Sequence, residues 1–275
     1  MRATQLIMGA GLLALAIAPA ACRKTAPADP IPEHETFRLA STVLGEERVV
    51  NVHLPPAYAE RPEQAFPILY MPDGGVGEDF PHIVNTLAAL EAAGEVVPMI
   101  VVGIENTQRR RDMTGPTEVA KDREIAPVVG GSAAFRTFIR DELMPEIERR
   151  YRGNGETGIV GESAAGLFIM ETFFLEPALF DTYIALSPSL WWNDHALVRG
   201  AAETLRKNDL TAVTLFLSAA DETDIYPHTD ALAGLLKAEA PAGLTWTYVP
   251  RRDLQHNTIY RAVSGPAFRQ VFAPE

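Results

Sequence analysis

GIVGESAAGLF, residues Gly158 to Phe168, sets a serine between a short apolar run and a segment of small and apolar residues that reads as a helix. A strand that turns sharply into a helix needs small residues at the turn. The usual form is Gly-x-Ser-x-Gly, which lifts the serine over the end of a sheet. Here Gly161 and Ser163 fit, Ala165 fills the third slot, and the glycine follows one residue late at Gly166. Amides at a helix N-terminus favour developing negative charge. Ser163 is therefore a candidate nucleophile, with the amide of Ala164 beside it.

Outward from this turn, apolar runs alternate with helical patterns. Strands are expected at ERVVNVHLP (47–55), in FPILYMPDGG at Ile68 to Met71, and in VVPMIVVGIEN (96–106). Further strands follow in TGIVG (157–161), DTYIALSP (181–188), TAVTLFLSA (211–219) and LTWTYVP (244–250). Near-continuous apolar runs mark central parallel strands covered on both sides. FPHIVNTLAALEAAG (80–94) has helical spacing and stops at Gly94. In GSAAFRTFIRDELMPEIERRYR (131–152), Phe135, Ile139, Leu143 and Ile147 share one helical face. Ser132 is expected to cap that helix and Pro145 to kink it. YRAVSGPAFRQVF (260–272) closes the chain as a helix. The alternation predicts an α/β fold with a mostly parallel central sheet and helices on both faces. Sites in such sheets form at the carboxyl ends of the strands.

A serine nucleophile needs a base, and the base an orienting acid. Of six histidines, only His228 and His256 come after the strand expected to carry the acid. His228 begins a helical pattern, so His256, in a loop after the last strand, is the candidate base. The acid is sought after the 211–219 strand, where Asp221, Glu222 and Asp224 all qualify. A second amide for the oxyanion is sought in Asp73-Gly74-Gly75, where two glycines let backbone approach a ligand closely. This chemistry calls for no metal and no cofactor.

The chain has 275 residues, enough for one large domain. Its net charge of −12 repels phosphate backbones, which argues against a nucleic-acid partner. At the N-terminus, Arg2 precedes an apolar run too short to span a bilayer comfortably and then small residues, so residues 1–22 read as a secretory signal. Two processing routes fit. Ala18-Pro19-Ala20 suits release of a soluble protein. Cys22, the only cysteine, stands where a bacterial lipoprotein is cleaved and lipidated, and that lipid is the one membrane contact expected. The Pro-rich stretch 23–35 reads as a flexible linker and residues 36–275 as one domain. The expected location is outside the cytoplasm, in the periplasm or lipid-anchored to the bacterial envelope.

With these residues in place, the chain resembles the esterase D and enterochelin (siderophore) esterase-like branch of the α/β-hydrolases. ERVVNVHLPPAY, ILYMPDGG, IENTQRRRDMTGP, FIRDELMPEIERRYR, GESAAGLFIMETFFLEPALFDTYIALSPSLWW and LKAEAPAGLTWTY carry the resemblance, in order, over nearly the whole chain after residue 36. It implies a carboxylic ester hydrolase of the α/β-hydrolase fold, with Ser163 as nucleophile, His256 as base and an acid that falls on Glu222, Asp221 and Asp224 being alternates. It implies Gly75 and Ala164 as oxyanion donors. Asp73 and the loop with Trp191 and Trp192 would line the cleft, and Arg109 and Arg111 match an Arg-x-Arg-Asp loop. The substrates implied are small-molecule or glycan esters, including siderophore lactones and acylated carbohydrates. Two features depart from the family pattern. Glu162 and Ala164-Ala165 replace the usual His and Leu-Gly around the serine, and Gln255 and Asn257 flank His256. An acyltransferase of the same fold, or a binding protein that keeps the fold without the reaction, is the competing reading.

Overall fold

Successive strand residues point to opposite faces of a sheet, and here both faces are apolar. In the third strand Ile68 and Tyr70 enter one core, while Leu69 and Met71 enter the other. The computed structural model describes residues 29–274. Its strands are β1 (Glu35–Ser41), β2 (Glu46–His53), β3 (Phe66–Met71), β4 (Ile100–Ile104), β5 (Gly153–Glu162), β6 (Thr182–Leu186), β7 (Thr214–Ala220) and β8 (Thr245–Arg251). They form one sheet in the order β1-β2-β4-β3-β5-β6-β7-β8. The β1–β2 and β2–β4 pairs are antiparallel, and all pairs from β4 across to β8 are parallel. This is the mostly parallel α/β-hydrolase sheet.

The helices are α1 (Pro56–Glu60), α2 (Phe80–Ala92), α3 (Arg109–Met113), α4 (Ser132–Phe138), α5 (Met144–Arg150), α6 (Ala164–Leu175), α7 (Trp192–Lys207), α8 (Tyr226–Glu239) and α9 (His256–Val271). α2 and α9 cover the face with Leu69 and Met71, and α4 to α8 cover the other. α6 is buried along nearly its whole length, because the sheet lies under it and α4 and α7 flank it. A helix buried all round has no need of a polar stripe, which is why AAGLFIMETFF shows none.

Three local expectations are corrected. The helix expected over 131–152 is two helices joined by a wide π turn, Ile139–Leu143. Pro145 directly follows this π turn inside a helical run that continues from 132 to 150, and the wider turn precedes the residue that lacks an N–H. Ser132 does not cap α4: Gly131 is the N-cap, and the Ser132 hydroxyl is buried, donating to Glu171 Oε1 at 2.5 Å. Finally, β1 arises where no strand was expected. Its residues alternate in exposure, and its partner β2 supplies the hydrogen bonds.

The latter part of the expected linker lies against the domain. Asp29 pairs with Arg261 at 2.5 Å, and Asn85 donates to the carbonyl of Pro30 at 2.7 Å. The signal, Cys22 and the linker up to residue 28 lie outside the described residues. Among the described residues no helix is long and apolar enough to cross a membrane. At the β2 side, Arg48 is fully buried and donates to Asp112 Oδ2 (2.6 Å), Glu46 Oε1 (2.9 Å) and the carbonyl of Glu105 (3.0 Å). A buried guanidinium must be paired in this way, and the pairing fastens α3 to the sheet next to the strand ends.

Candidate active site

Three residues just past strand ends have left-handed backbone: Asp73 after β3 (φ 55°), Ser163 after β5 (φ 61°) and Ser187 after β6 (φ 39°). Such conformations cost a non-glycine residue about 1–3 kcal/mol and gather at functional sites. At Ser163 the cost is met by three backbone hydrogen bonds. Its N–H donates to Leu186 O (3.1 Å), and its carbonyl accepts from the amides of Leu167 (2.9 Å) and Ser189 (3.1 Å). The turn also explains the odd motif. A Cβ on Gly161 would lie 2.6 Å from the Cβ of Ala165. The two positions share one space, so Ala165 is accommodated because residue 161 has no side chain.

His256 is not in a loop, as expected, but is the first residue of α9, after the N-cap Gln255. The Gln255 amide donates to Thr258 Oγ1 at 3.0 Å and fixes the helix start. From there His256 Nε2 forms a hydrogen bond with Ser163 Oγ at 3.1 Å. On the other side of the ring, Nδ1 is 2.8 Å from Glu222 Oε1. That contact is close but out of line with the ring N–H, so it is not an aligned hydrogen bond. Of the three carboxylates left open by the sequence, the structure brings Glu222 to the imidazole, while Asp221 and Asp224 are exposed on the same loop. His228 lies in the first turn of α8, its ring stacked on His195 with centroids 4.8 Å apart.

Ala164 is the first residue of α6, where a helix amide has no intrahelical acceptor. The two glycines after β3 differ in what holds them. Gly74 is required by the sheet: a Cβ there would lie 2.2 Å from the backbone nitrogen of Ile104. The Gly75 amide is already engaged, donating to Glu78 Oε2 at 2.7 Å. Glu78 is exposed, and Asn106 Nδ2 donates to its other oxygen at 2.8 Å.

The profile of the family described as "Putative esterase" matches residues 41–266. The chain belongs to this esterase family. It is 29% identical over 213 residues to the ferri-bacillibactin esterase BesA of Bacillus subtilis, spanning 72% of this chain and 73% of that protein. It is 29% identical over 193 residues to the siderophore triacetylfusarinine C esterase of Aspergillus fumigatus, 62% of this chain and 61% of that one. An IroE-like serine hydrolase from Shewanella oneidensis superposes with a TM-score of 0.79 at 29% identity, over 87% of this chain and 80% of its own. The protein is a carboxylic ester hydrolase.

Around the serine of this esterase, most of the expected cleft residues are tied to the protein. Arg109 donates to both oxygens of buried Asp73, at 2.6 and 2.7 Å. Arg111 is spent on Glu46 (2.7 Å) and Asp112 (2.6 Å). Trp192 is buried, its Nε1–H donating to the carbonyl of Gly115 at 2.9 Å, while Trp191 stays partly exposed. Arg110 is half-buried and makes no ion pair among the described residues. Ser189 and Glu162 also reach this pair: Ser189 Oγ is 3.5 Å from Ser163 Oγ, and Glu162 Oε1 is 3.1 Å from His256 Nε2. Glu162 directly precedes Ser163, at a position where the sequence departs from the expected family pattern.

Gly161→Ala should lower stability by about 1–3 kcal/mol through overpacking against Ala165, and esterase activity should fall with it. Adding Ala165→Gly to the same chain should restore part of both, read as the urea midpoint and the rate of ester hydrolysis. Absence of rescue would show that the two residues do not share the space.

Proposed function

We propose that this esterase is an exported serine hydrolase in which Ser163, His256 and Glu222 act together. The observation that carries the reading is the 3.1 Å hydrogen bond from Ser163 to His256 Nε2 at a strained strand-to-helix turn. Ser163 Oγ attacks the ester carbonyl as its proton passes to Nε2. The same proton then goes to the departing alcohol. Water, deprotonated by Nε2, next attacks the acyl-serine, and the serine recovers its proton. Glu222 steadies the imidazolium from Nδ1, which requires only a small rotation to align the 2.8 Å contact. The negative oxygen of each tetrahedral intermediate is received by the amides of Ala164 and Gly75. Gly75 becomes free when Glu78, exposed and hinged on a short side chain, swings outward.

For the substrate we favour siderophore esters, with acylated carbohydrates as the second class. Two relatives bear siderophore-esterase names. The residue in this chain that supports the same class is Arg110, a cation beside the site with no carboxylate partner among the described residues. Arg109 and Arg111 have their charges compensated, so an anionic ligand would find its counter-charge at Arg110. Trp191 offers a partly exposed ring for an aromatic or sugar group. Export rests on residues 1–22. The mature N-terminus, read by mass spectrometry, should begin at Ala21 after soluble release or at an acylated Cys22; a retained Met1 in the cytosolic fraction overturns export.

Ser163→Ala should cut kcat/KM for a short p-nitrophenyl ester by roughly 10⁴-fold or more and abolish fluorophosphonate labelling. Glu222→Gln should cost roughly 10²–10⁴-fold, whereas Asp221→Asn and Asp224→Asn change it by less than about threefold. Equal losses at all three positions would sink the assignment of the acid. For the substrate, a catecholate trilactone should be turned over faster than a feruloylated sugar, and Arg110→Gln should narrow that gap about tenfold by raising KM for the anionic substrate alone.

A further inference from the structure

Glu162 has no part in the mechanism above, yet it touches the atom through which every proton passes. Its Oε1 is 3.1 Å from His256 Nε2, and Ser163 Oγ is 3.1 Å from the same nitrogen. The serine contact is an aligned hydrogen bond, whereas Oε1 is buried and forms none. Nε2 offers either one lone pair or one hydrogen, so it serves one partner at a time. A small turn of the imidazole, which is 42% exposed and has room to move, exchanges serine for carboxyl.

We propose that Glu162 is a proton-sharing partner of His256 that competes with Ser163 for Nε2, so that the base is released to the serine only when the pair has lost its common proton. The inference rests on the serine-esterase reading. While the proton is present, it lies between Oε1 and Nε2 and the lone pair is not free for the serine hydroxyl. Once it has gone to solvent, Nε2 accepts from Ser163, and the carboxylate left beside it favours the imidazolium that forms as the ester is attacked.

The surroundings of Glu162 favour holding that proton. Burial is the largest effect, since the side chain is only 16% exposed. Against it stands Arg109 of α3. With burial stand Asp79 and Asp73, from the connection between β3 and α2, and Glu222, from the connection between β7 and α8. From α9, one turn beyond His256, the fully buried hydroxyl of Tyr260 has no partner among the described residues. Arg109, the cation that acts on Glu162, is committed to Asp73. Glu162 is pushed up to about 8, and Asp79, by burial and then by Asp73, up to about 6. Titrations this close belong to the pair and not to either residue.

The test uses the full chain. In wild type, kcat/KM should rise with pH through about 8. In Glu162→Gln the rise should come at least about one pH unit lower, so that at about pH 6.5 the variant keeps about tenfold more of its own plateau. The plateau itself should fall, because the carboxylate that favours the imidazolium is gone. A merely structural role would lower the rate at all pH values alike, and an unmoved profile in a folded variant overturns the proposal. Carboxyl ¹³C NMR of the wild type decides it independently of activity. One glutamate, assigned by its disappearance in Glu162→Gln, should titrate near pH 8. Titration of every carboxyl below about pH 6 overturns the inference. Failure of fluorophosphonate to label wild type overturns the esterase reading instead, and leaves the NMR result to judge the proton pair.

Discussion

The structure depends on one constrained turn. Ser163 holds φ 61° and ψ −117°, which a serine adopts only under compulsion. The compulsion is local and tertiary together. β5 and β6 are paired in register up to Glu162 and Leu186, so the Ser163 amide meets Leu186 O as the last rung of the ladder. The same serine's carbonyl then takes the amides of Leu167 and Ser189, tying α6 and the loop after β6 to the turn. None of this closes unless residue 161 lacks a side chain. The missing glycine of the motif is thus compensated on the other side of the serine.

A second consequence is electrostatic. The carboxyl ends of the strands and the loops after them are crowded with acids: Asp73, Glu78, Asp79, Glu162 and Glu222. The cations that balance them are mostly committed. Arg109 is held by Asp73, Arg111 by Glu46 and Asp112, and Arg48 lies buried against Asp112. Burial makes a carboxyl harder to ionise, and Glu162 and Asp79 are both pushed up in this way. The net charge of −12 is therefore not only a surface property. Part of it is concentrated at the carboxyl ends of the strands, in Asp73, Asp79, Glu162 and Glu222. α9 contributes twice, with His256 at its first position and Tyr260 one turn later facing the same acids.

The sequence by itself determined the alternation of buried strands and helices, and with it the sheet and its cleft. Apolar runs with turn residues after them are a local property, and the order serine, acid, histidine needs only chain direction. The GESAA stretch, with a strand before it and a helix after it, made Ser163 legible. β1 was not legible, because its partner β2 and not its own composition makes it a strand. Nor was the break in the 131–152 helix, where a π turn absorbs Pro145 without altering the apolar spacing. Only the tertiary structure decided which of three carboxylates meets His256, since Asp221, Glu222 and Asp224 are equivalent as letters and differ only in where a short loop points them. It alone revealed that Gly74 serves β4, that Glu78 holds the Gly75 amide, and that Glu162 reaches Nε2. The reason is physical. The serine and the imidazole are 93 positions apart, and contacts across such a span are set by how helices settle on the sheet, which no window of sequence contains.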